Sequence, residues 1–241
     1  MTGDALLGGR VRLRQAPGGL RAGLDAVLLA AAVPARPGER VLEAGCGSGA
    51  AFLCLAARVP GIEVVAVERD PALAALAQEN AALNGLAGRV TIIEGDVADR
   101  ALRRALPPCA HAFANPPYWE GGTPPPDPGR AGATHEASAT LGDWAALLGA
   151  PLPRRGTVTL VLPAARFDAG AVALAAAGCG DVTLLPLWPR AGLAAKRVLI
   201  QARREGRGPA RVLPGLVLHR EAGFTPAAEA VLRDAGAIGW G

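Results

Sequence analysis

Apolar residues follow two alternating patterns along most of the chain: short β-branched or leucine-rich runs, and longer stretches with apolar residues at helical spacing. The short runs predict strands at 40–44, 62–67, 89–93, 111–114, 157–162, 182–185, 197–202 and 211–219. The longer stretches predict helices at 23–33, 50–59, 71–84, 140–149, 164–177 and 226–235. The proline- and glycine-rich segment 119–130 is expected to be a loop.

Strands and helices that alternate over this length predict an α/β fold of the doubly wound, Rossmann-like type. We expect a seven-stranded, mostly parallel sheet, with an antiparallel far edge because the last strands come without good helices between them. No change of composition marks a second domain, so a single domain is expected over 1–241. It would consist of an N-terminal extension and helix at 1–39, the main sheet at 40–203, and a C-terminal strand and helix at 204–241.

Composition narrows the class of protein. The 241 residues are 51% hydrophobic and 19% charged, which is a globular rather than a disordered composition. No apolar run approaches the ~20 residues that cross a bilayer, so no membrane association is expected. Arginines ahead of the apolar stretch 26–33 imitate a signal peptide, but Asp25 beside that stretch and the nucleotide-type strand that follows argue against export.

The cysteines and the charge balance point to a compartment and a partner. The four cysteines form no C-x-x-C pair and no cluster with histidine, so we expect no metal site, and thiols buried in a reducing cytoplasm. The net charge of +4 and the pI of about 9.3 are compatible with a polyanion such as RNA. Arginines that would contact phosphates, or would only be solvated, cluster before the first helix and near the far edge: Arg12, Arg14, Arg21, Arg203, Arg204, Arg207 and Arg211.

A glycine-rich turn, E-A-G-C-G-S-G at 43–49, follows the first predicted strand. Glycines between a strand and a helix let the backbone approach a ligand closely, although a dinucleotide or a tight turn without ligand fits the same spacing. Glu43 favours a cationic ligand, because a pyrophosphate would be repelled there. Glu68 ends the second strand, where a carboxylate accepts ribose hydroxyls, and Asp96 ends the third, near an adenine amine.

The sequence Asn115-Pro116-Pro117-Tyr118 after the fourth strand is the most specific signal. The prolines leave their carbonyls without local amide partners, and Asn115 offers a side-chain acceptor. Tyr118 offers a ring that stacks on a planar group. Together these features predict a slot for a flat molecule that carries an NH2 group, with a plain proline turn as the alternative.

With these two motifs the chain resembles class I S-adenosylmethionine-dependent N-methyltransferases of the N-P-P-Y type, over about 41–202. The resemblance implies S-adenosylmethionine as cofactor, and Asn115, Pro116, Pro117 and Tyr118 as the catalytic residues. The residues that it implies for cofactor binding are Glu43, Gly45, Cys46, Gly47, Gly49, Glu68, Arg69, Asp96, Val97 and Asn115.

Shorter segments are similar to bacterial tRNA adenine-N6 methyltransferases, which modify an adenosine beside the anticodon of a valine tRNA. These are 20–29, 196–199 and 224–226; the family's Gly-Thr-Asp is Gly23-Leu24-Asp25 here, without the threonine hydroxyl. The similarity implies methylation of adenine N6 in a tRNA anticodon loop. The substrate-binding residues that go with it are Arg21, Asp25, Trp119 and Lys196.

Other functions stay open from sequence. N-P-P-Y also suits the side-chain amide of a protein glutamine, although enzymes of that kind usually carry a separate N-terminal helical domain. A ribosomal RNA base is another possible target of the same chemistry. A catalytically silent RNA chaperone and a dinucleotide-dependent oxidoreductase are alternatives from other classes. The sequence does not give the oligomeric state.

Overall fold

A computed structural model of the chain describes residues 2–16, 23–117 and 139–241. Its strands are β1 (Thr2–Leu6), β2 (Val11–Gln15), β3 (Arg40–Ala44), β4 (Glu63–Glu68), β5 (Val90–Glu94), β6 (His111–Ala114), β7 (Thr157–Pro163), β8 (Cys179–Trp188), β9 (Arg197–Arg204), β10 (Arg211–Val212) and β11 (Leu216–Val217). Its α-helices are α1 (Leu24–Ala32), α2 (Ala50–Arg58), α3 (Pro71–Leu83), α4 (Arg100–Ala105), α5 (Leu141–Gly149), α6 (Phe167–Ala176) and α7 (Pro226–Leu232).

The main sheet has the strand order β10-β8-β9-β7-β6-β3-β4-β5, and β11 also pairs with β8. Within the described residues its strand pairs are parallel, except those that β9 makes with β7 and β8. The predicted mostly parallel Rossmann-like sheet, with antiparallel pairing towards its far edge, is confirmed. The described sheet has nine strands and not the expected seven, because the short strands β10 and β11 are added beside β8. Because β9 runs against its neighbours, it begins at the edge where the parallel strands end.

Two apolar clusters cover the two faces of the sheet. On one face, α1, α2, α3 and α7 pack against the sheet. The largest fully buried side chains of this cluster are Phe52 of α2 and Phe113 of β6. On the other face, α5 and α6 pack over the sheet through buried leucines, alanines and Trp144. Helices on both faces account for the almost continuous apolar character of β3, β6 and β7. None of the described helices has the length and apolar character that crossing a membrane requires.

The expected tail strand at 211–219 is wrong in one respect, because the structure forms β10 and β11 with a break between them. Gly215 lies in the break with φ of +87°, and a side chain there would come within 2.3 Å of the Pro186 carbonyl oxygen. Trp188 also donates its indole N–H to the Pro214 carbonyl, at 2.9 Å. The close approach of the chain to β8 at this point interrupts the strand.

An N-terminal hairpin of β1 and β2 is present that the pattern analysis did not predict. In β2, Val11 and Leu13 are buried, whereas Arg12 and Arg14 are exposed. This alternation of apolar and charged residues is typical of a half-buried strand. The short helix α4 was also not predicted; it buries none of its residues fully.

Two asparagines, one in α3 and one at its C-terminal cap, hold this hairpin. Asn80, which is fully buried, accepts from the Arg14 N–H at 2.8 Å and donates to the Arg14 carbonyl at 2.9 Å. Asn84, one turn later, makes the same pair of bonds with Arg12, at 2.9 and 2.7 Å. Asn80 also donates to the carbonyl of Ser48, at 2.9 Å. The hairpin is thereby connected to the glycine-rich turn.

The C-terminal segment completes the end of α1. The last carbonyls of a helix have no partners within it and must find them elsewhere. Here the Ile238 N–H donates to Ala31 at 2.8 Å, and the Trp240 indole N–H donates to Ala32 at 2.7 Å. The guanidinium of Arg58 donates to the two carbonyls that flank this pair. Residues far apart in sequence therefore fix α1 against the sheet.

Candidate active site

The carboxyl ends of β3, β4, β5 and β6 meet in one row. Ala44 pairs with Ala114 on one side and with Val67 on the other, and Val67 pairs with Ile93. The next residue along each strand belongs to, or directly precedes, a predicted motif: Gly45, Glu68, Glu94 and Asn115. Open α/β sheets bind ligands in the crevice at this edge. The glycine-rich turn and the N-P-P-Y motif are therefore neighbours.

The three glycines of the turn differ in their surroundings, although all have positive φ. A Cβ on Gly45 would lie 2.4 Å from the Trp144 ring, and a Cβ on Gly49 would lie 2.5 Å from the Phe52 ring. At Gly47, no atom of the described residues lies within 4 Å of that position. Gly45 and Gly49 thus permit close packing inside the protein, whereas Gly47 leaves its backbone accessible to a ligand.

Glu68 is held rigidly at the end of β4. Its side chain is buried, and its two carboxylate oxygens accept from the backbone N–H groups of Gly47, at 2.8 Å, and Asp70, at 3.0 Å. Each carboxylate oxygen carries two lone pairs, so both retain capacity for the hydroxyl groups of a ligand. The arrangement suits the ribose-binding role that the sequence predicts for Glu68.

Glu43 is buried beneath the turn, where its carboxylate accepts from the Phe52 N–H at 2.9 Å. Burial raises its pKa well above the usual value, and the charge of Glu68 adds to that rise, while the Phe52 bond opposes it. Burial and both carboxylates also raise the pKa of the Cys46 thiol. Cys46 is therefore a neutral thiol. A cation bound beside Glu43 would stabilise the ionised form of its carboxylate, which burial disfavours.

The remaining residues implied for cofactor binding lie at the ends of β4 and β5. Asp96 is half-buried, and its carboxylate accepts from the Ala98 N–H at 2.8 Å. Val97 is 7% exposed and packs in the core beneath the site. Arg69 is exposed, next to Glu68.

The described part of the N-P-P-Y motif, residues 115–117, directly follows β6. Asn115 is half-buried and Pro116 is buried, directly after Ala114, whose partner Ala44 precedes the turn. Pro117 is half-buried and is the last described residue of this segment. The predicted site residues that lie outside the described residues are Arg21, Tyr118 and Trp119.

Two of the implied substrate-binding residues, Asp25 and Lys196, lie next to Arg197 at the start of β9. Asp25, in the first turn of α1, accepts from the Arg197 guanidinium at 3.1 Å. Lys196 is exposed and directly precedes Arg197. Because β9 begins where the parallel strands end, these residues lie at the same edge of the sheet as Asn115. No sequence pattern identifies Arg197 as the partner of Asp25.

Sequence reasoning also missed two residues that support the turn. Trp144 of α5 packs against Gly45, and its indole N–H is buried without a hydrogen-bond partner in the described part of the chain. Asn80 holds the Ser48 carbonyl. Asn80 carries a readable signal, since asparagine is unusual inside a helix otherwise rich in alanine and leucine, and Asn84 follows one turn later at the cap of the helix. Trp144 carries none, because its contact crosses between distant elements.

The arginines expected near the far edge do not lie beside the site. Arg203 pairs with Thr157 and Gly180, which are at the beginnings of β7 and β8. Arg204 and Arg207 follow it closely in sequence. Arg211 begins β10 and pairs with Thr183, whose partner Gln201 is two residues from Arg203. This cluster is therefore at the amino edge of the sheet, opposite to Asn115. As for metals, no group of three or more potential ligands occurs in the described ranges.

The known proteins that are similar to this chain in sequence are methyltransferases. A methyltransferase-domain family model matches residues 41–113. The chain is 35% identical over 202 residues to a tRNA1(Val) (adenine(37)-N6)-methyltransferase of Aeromonas hydrophila, covering 83% of each protein. It is 31% identical to the protein of that name from Actinobacillus succinogenes, covering 77% of this chain and 78% of the relative.

Solved structures share the fold. A predicted O-methyltransferase of Agrobacterium tumefaciens superposes with a TM-score of 0.73 at 26% identity, covering 89% of this chain and 98% of that one. An S-adenosylmethionine-dependent O-methyltransferase of Thermotoga maritima gives 0.56 at 20% identity, covering 79% and 68%. Both agree with a Rossmann-like sheet flanked by helices.

Proposed function

Since the chain belongs to the family of the tRNA1(Val) (adenine(37)-N6)-methyltransferases, we propose that it methylates the exocyclic N6 amine of adenine 37 in a valine tRNA. The observation that carries the proposal is the placement of Asn115-Pro116-Pro117 beside the glycine-rich turn, across the pair Ala114–Ala44. A methyl donor and a planar amine would meet at this junction. The enzyme is an S-adenosylmethionine-dependent N-methyltransferase.

The turn has the properties that this cofactor requires. S-adenosylmethionine, when bound, supplies an electrophilic methyl group on a positively charged sulfur. Gly47 leaves its backbone accessible, and Glu68 retains acceptor capacity for ribose hydroxyls. The positive charge of the cofactor would stabilise the ionised form of Glu43, which burial alone disfavours. We assign Asp96 and Val97 to the adenine end and Arg69, Cys46, Gly45 and Gly49 to the surrounding wall.

Asn115 and Pro116 hold and orient the target nitrogen in this proposal. The amine lone pair of adenine is delocalised into the ring, which makes it a poor nucleophile. If the Asn115 amide oxygen and the Pro116 carbonyl accept its two N–H bonds, the lone pair becomes more available and points in one direction. No strong general base is required, and positioning supplies much of the acceleration, up to ~7–11 kcal/mol in favourable intramolecular cases.

The other substrate contacts follow the same assignment. Tyr118 stacks on the adenine, and Pro117 fixes the backbone between the ring and the acceptors. A base in a loop is also cheaper to extrude than one in a duplex. We assign Arg21, Asp25, Trp119 and Lys196 to contacts with the rest of the tRNA.

The test is methyl transfer to tRNA prepared from a strain that lacks this protein, followed by a search for N6-methyladenosine in the digested valine tRNA. Asn115→Ala removes the side-chain acceptor and should abolish most turnover. Asn115→Asp keeps an acceptor oxygen and should retain part of it. Transfer to a protein glutamine or to ribosomal RNA, with none to tRNA, would contradict the proposal.

A further inference from the structure

A group of cations lies at the carboxyl edge of the sheet, beyond β7 and away from the cofactor side. We name it the shoulder and define it by Arg190, Lys196, Arg197 and Arg220. The 189–197 segment contains three of these cations and no acidic residue. Arg190, Lys196 and Arg220 are exposed, whereas Arg197 is half-buried and paired with Asp25.

The strand register brings the shoulder together. Arg197 pairs with Pro163 of β7 and Leu187 of β8, and Leu187 pairs in turn with Leu216 of β11. Beyond that row, the His219 N–H donates to the Pro189 carbonyl at 3.0 Å. The chain segments that carry Arg190 and Arg220 therefore run side by side, above the row that contains Arg197.

The register also gives the position of the shoulder relative to Asn115. Ala114 pairs with Leu160 of β7, three residues before Pro163, so the shoulder row lies about 10 Å further along the strands. Two to four strand spacings separate it sideways from β6, or roughly 10–19 Å. A base held at Asn115 does not reach that far, but its flanking backbone does.

We infer that the shoulder is a docking surface for the phosphate backbone of the tRNA, separate from the slot that holds the target base. The inference rests on the proposed function, and charge complementarity supports it, since exposed arginine and lysine side chains pair with phosphates. The second cluster of arginines, at the amino edge, faces away from Asn115. A tRNA whose base enters the slot contacts the shoulder and not that cluster.

The experiment compares charge reversals at the two edges. Arg190→Glu with Lys196→Glu changes the shoulder; Arg220 is left intact because Glu221 adjoins it. The matched control is Arg89→Glu with Arg207→Glu, two exposed arginines at the amino edge. Affinity for an unmodified valine tRNA transcript is measured against salt concentration, and an Arg190→Gln/Lys196→Gln variant separates loss of attraction from added repulsion.

We expect the shoulder reversal to weaken tRNA binding about tenfold or more at low salt, with the control near wild type. The Gln variant should reduce the slope of log affinity against log salt by about 0.7–0.9 for each lost phosphate contact. In steady state KM for tRNA should rise while kcat and the affinity for S-adenosylmethionine stay constant. That last constancy also verifies folding.

Equal effects of the shoulder and control variants, or no effect of either, would overturn the inference. Failure of the wild-type protein to bind the transcript would overturn it as well. Wild-type protein that binds the transcript, and binds it through the shoulder, but transfers no methyl group would support the docking surface while contradicting the proposed reaction.

Discussion

The glycines of the turn have two different roles at the site: one allows close packing inside the protein, and the other leaves its backbone accessible to a ligand. Substitutions can distinguish these roles. Gly45 and Gly47 both have positive φ, but only Gly45 has a ring against the position of a Cβ. Gly45→Ala should cost about 2–5 kcal/mol of unfolding free energy, from strain and overpacking together. Gly47→Ala should cost about 1–2 kcal/mol, and should weaken cofactor binding more than that loss explains. Denaturant titration and calorimetry with S-adenosylmethionine measure both quantities.

Replacing Glu43 should stabilise the folded protein but weaken its binding of S-adenosylmethionine. Its raised pKa means that the folded state holds a proton more tightly, so unfolding free energy falls as pH rises from about 4.5 through that raised pKa. Glu43→Gln keeps an acceptor for Phe52 and loses this pH dependence, so its Tm at neutral pH should exceed that of wild type. Its affinity for S-adenosylmethionine should fall about tenfold, or ~1.4 kcal/mol. A variant with higher Tm and unchanged affinity would remove Glu43 from the cationic site.

Tyr118 tests how the base is held. If the ring acts by stacking, Tyr118→Phe keeps most activity and Tyr118→Ala loses about 5- to 150-fold, or ~1–3 kcal/mol. Single-turnover methyl transfer at saturating cofactor is the appropriate measurement. Equal losses in the two variants would mean that the hydroxyl group is essential and that stacking is not the role.

At the scale of elements, sequence periodicity predicted most helices and strands of the main sheet within one to three residues. The helix predicted at 71–84, for example, is α3, and Asp70 caps its first turn. The hairpin is not predicted because the arginines of Val11-Arg12-Leu13-Arg14 resemble the basic leader of a signal peptide, although apolar and charged residues alternate there with period two. The meeting of Asp25 with Arg197 could not be predicted, since it depends on where an antiparallel strand begins. Local patterns determine elements, whereas such contacts depend on register between distant strands.

Asn80 connects the hairpin to the glycine-rich turn, whereas Asn84 contacts the hairpin and not the turn, so alanine variants of the two residues form a matched pair. Asn80→Ala leaves buried backbone groups of Arg14 and Ser48 without partners and should cost about 2–4 kcal/mol. Asn84→Ala loosens the same hairpin without reaching the turn and should cost about 1 kcal/mol. Only the first should weaken binding of S-adenosylmethionine. Equal affinities in the two variants would show that the hairpin does not position the turn.

At the scale of the whole molecule, the C-terminal residues stabilise the helix whose first turn carries Asp25. Trp240→Phe keeps most of the buried ring and loses the bond to Ala32, so it should cost about 1–2 kcal/mol. Trp240→Ala should cost about 3–5 kcal/mol, because it also removes buried apolar surface. Urea titration followed by circular dichroism measures both. A cost near zero for Trp240→Ala would mean that α1 is held by the sheet alone.

The pairing of Asn80 and Asn84 with β2 has a consequence for colloidal behaviour. A strand at the edge of a sheet exposes N–H and C=O groups that recruit strands from other molecules. On β2 the two asparagine amides occupy this position, so they imitate a neighbouring strand that cannot extend further. Removing both amides would leave the N–H and C=O groups of Arg12 and Arg14 free to pair with a strand of another molecule. The double variant should therefore self-associate at protein concentrations at which the wild-type chain stays dispersed, and light scattering would detect it.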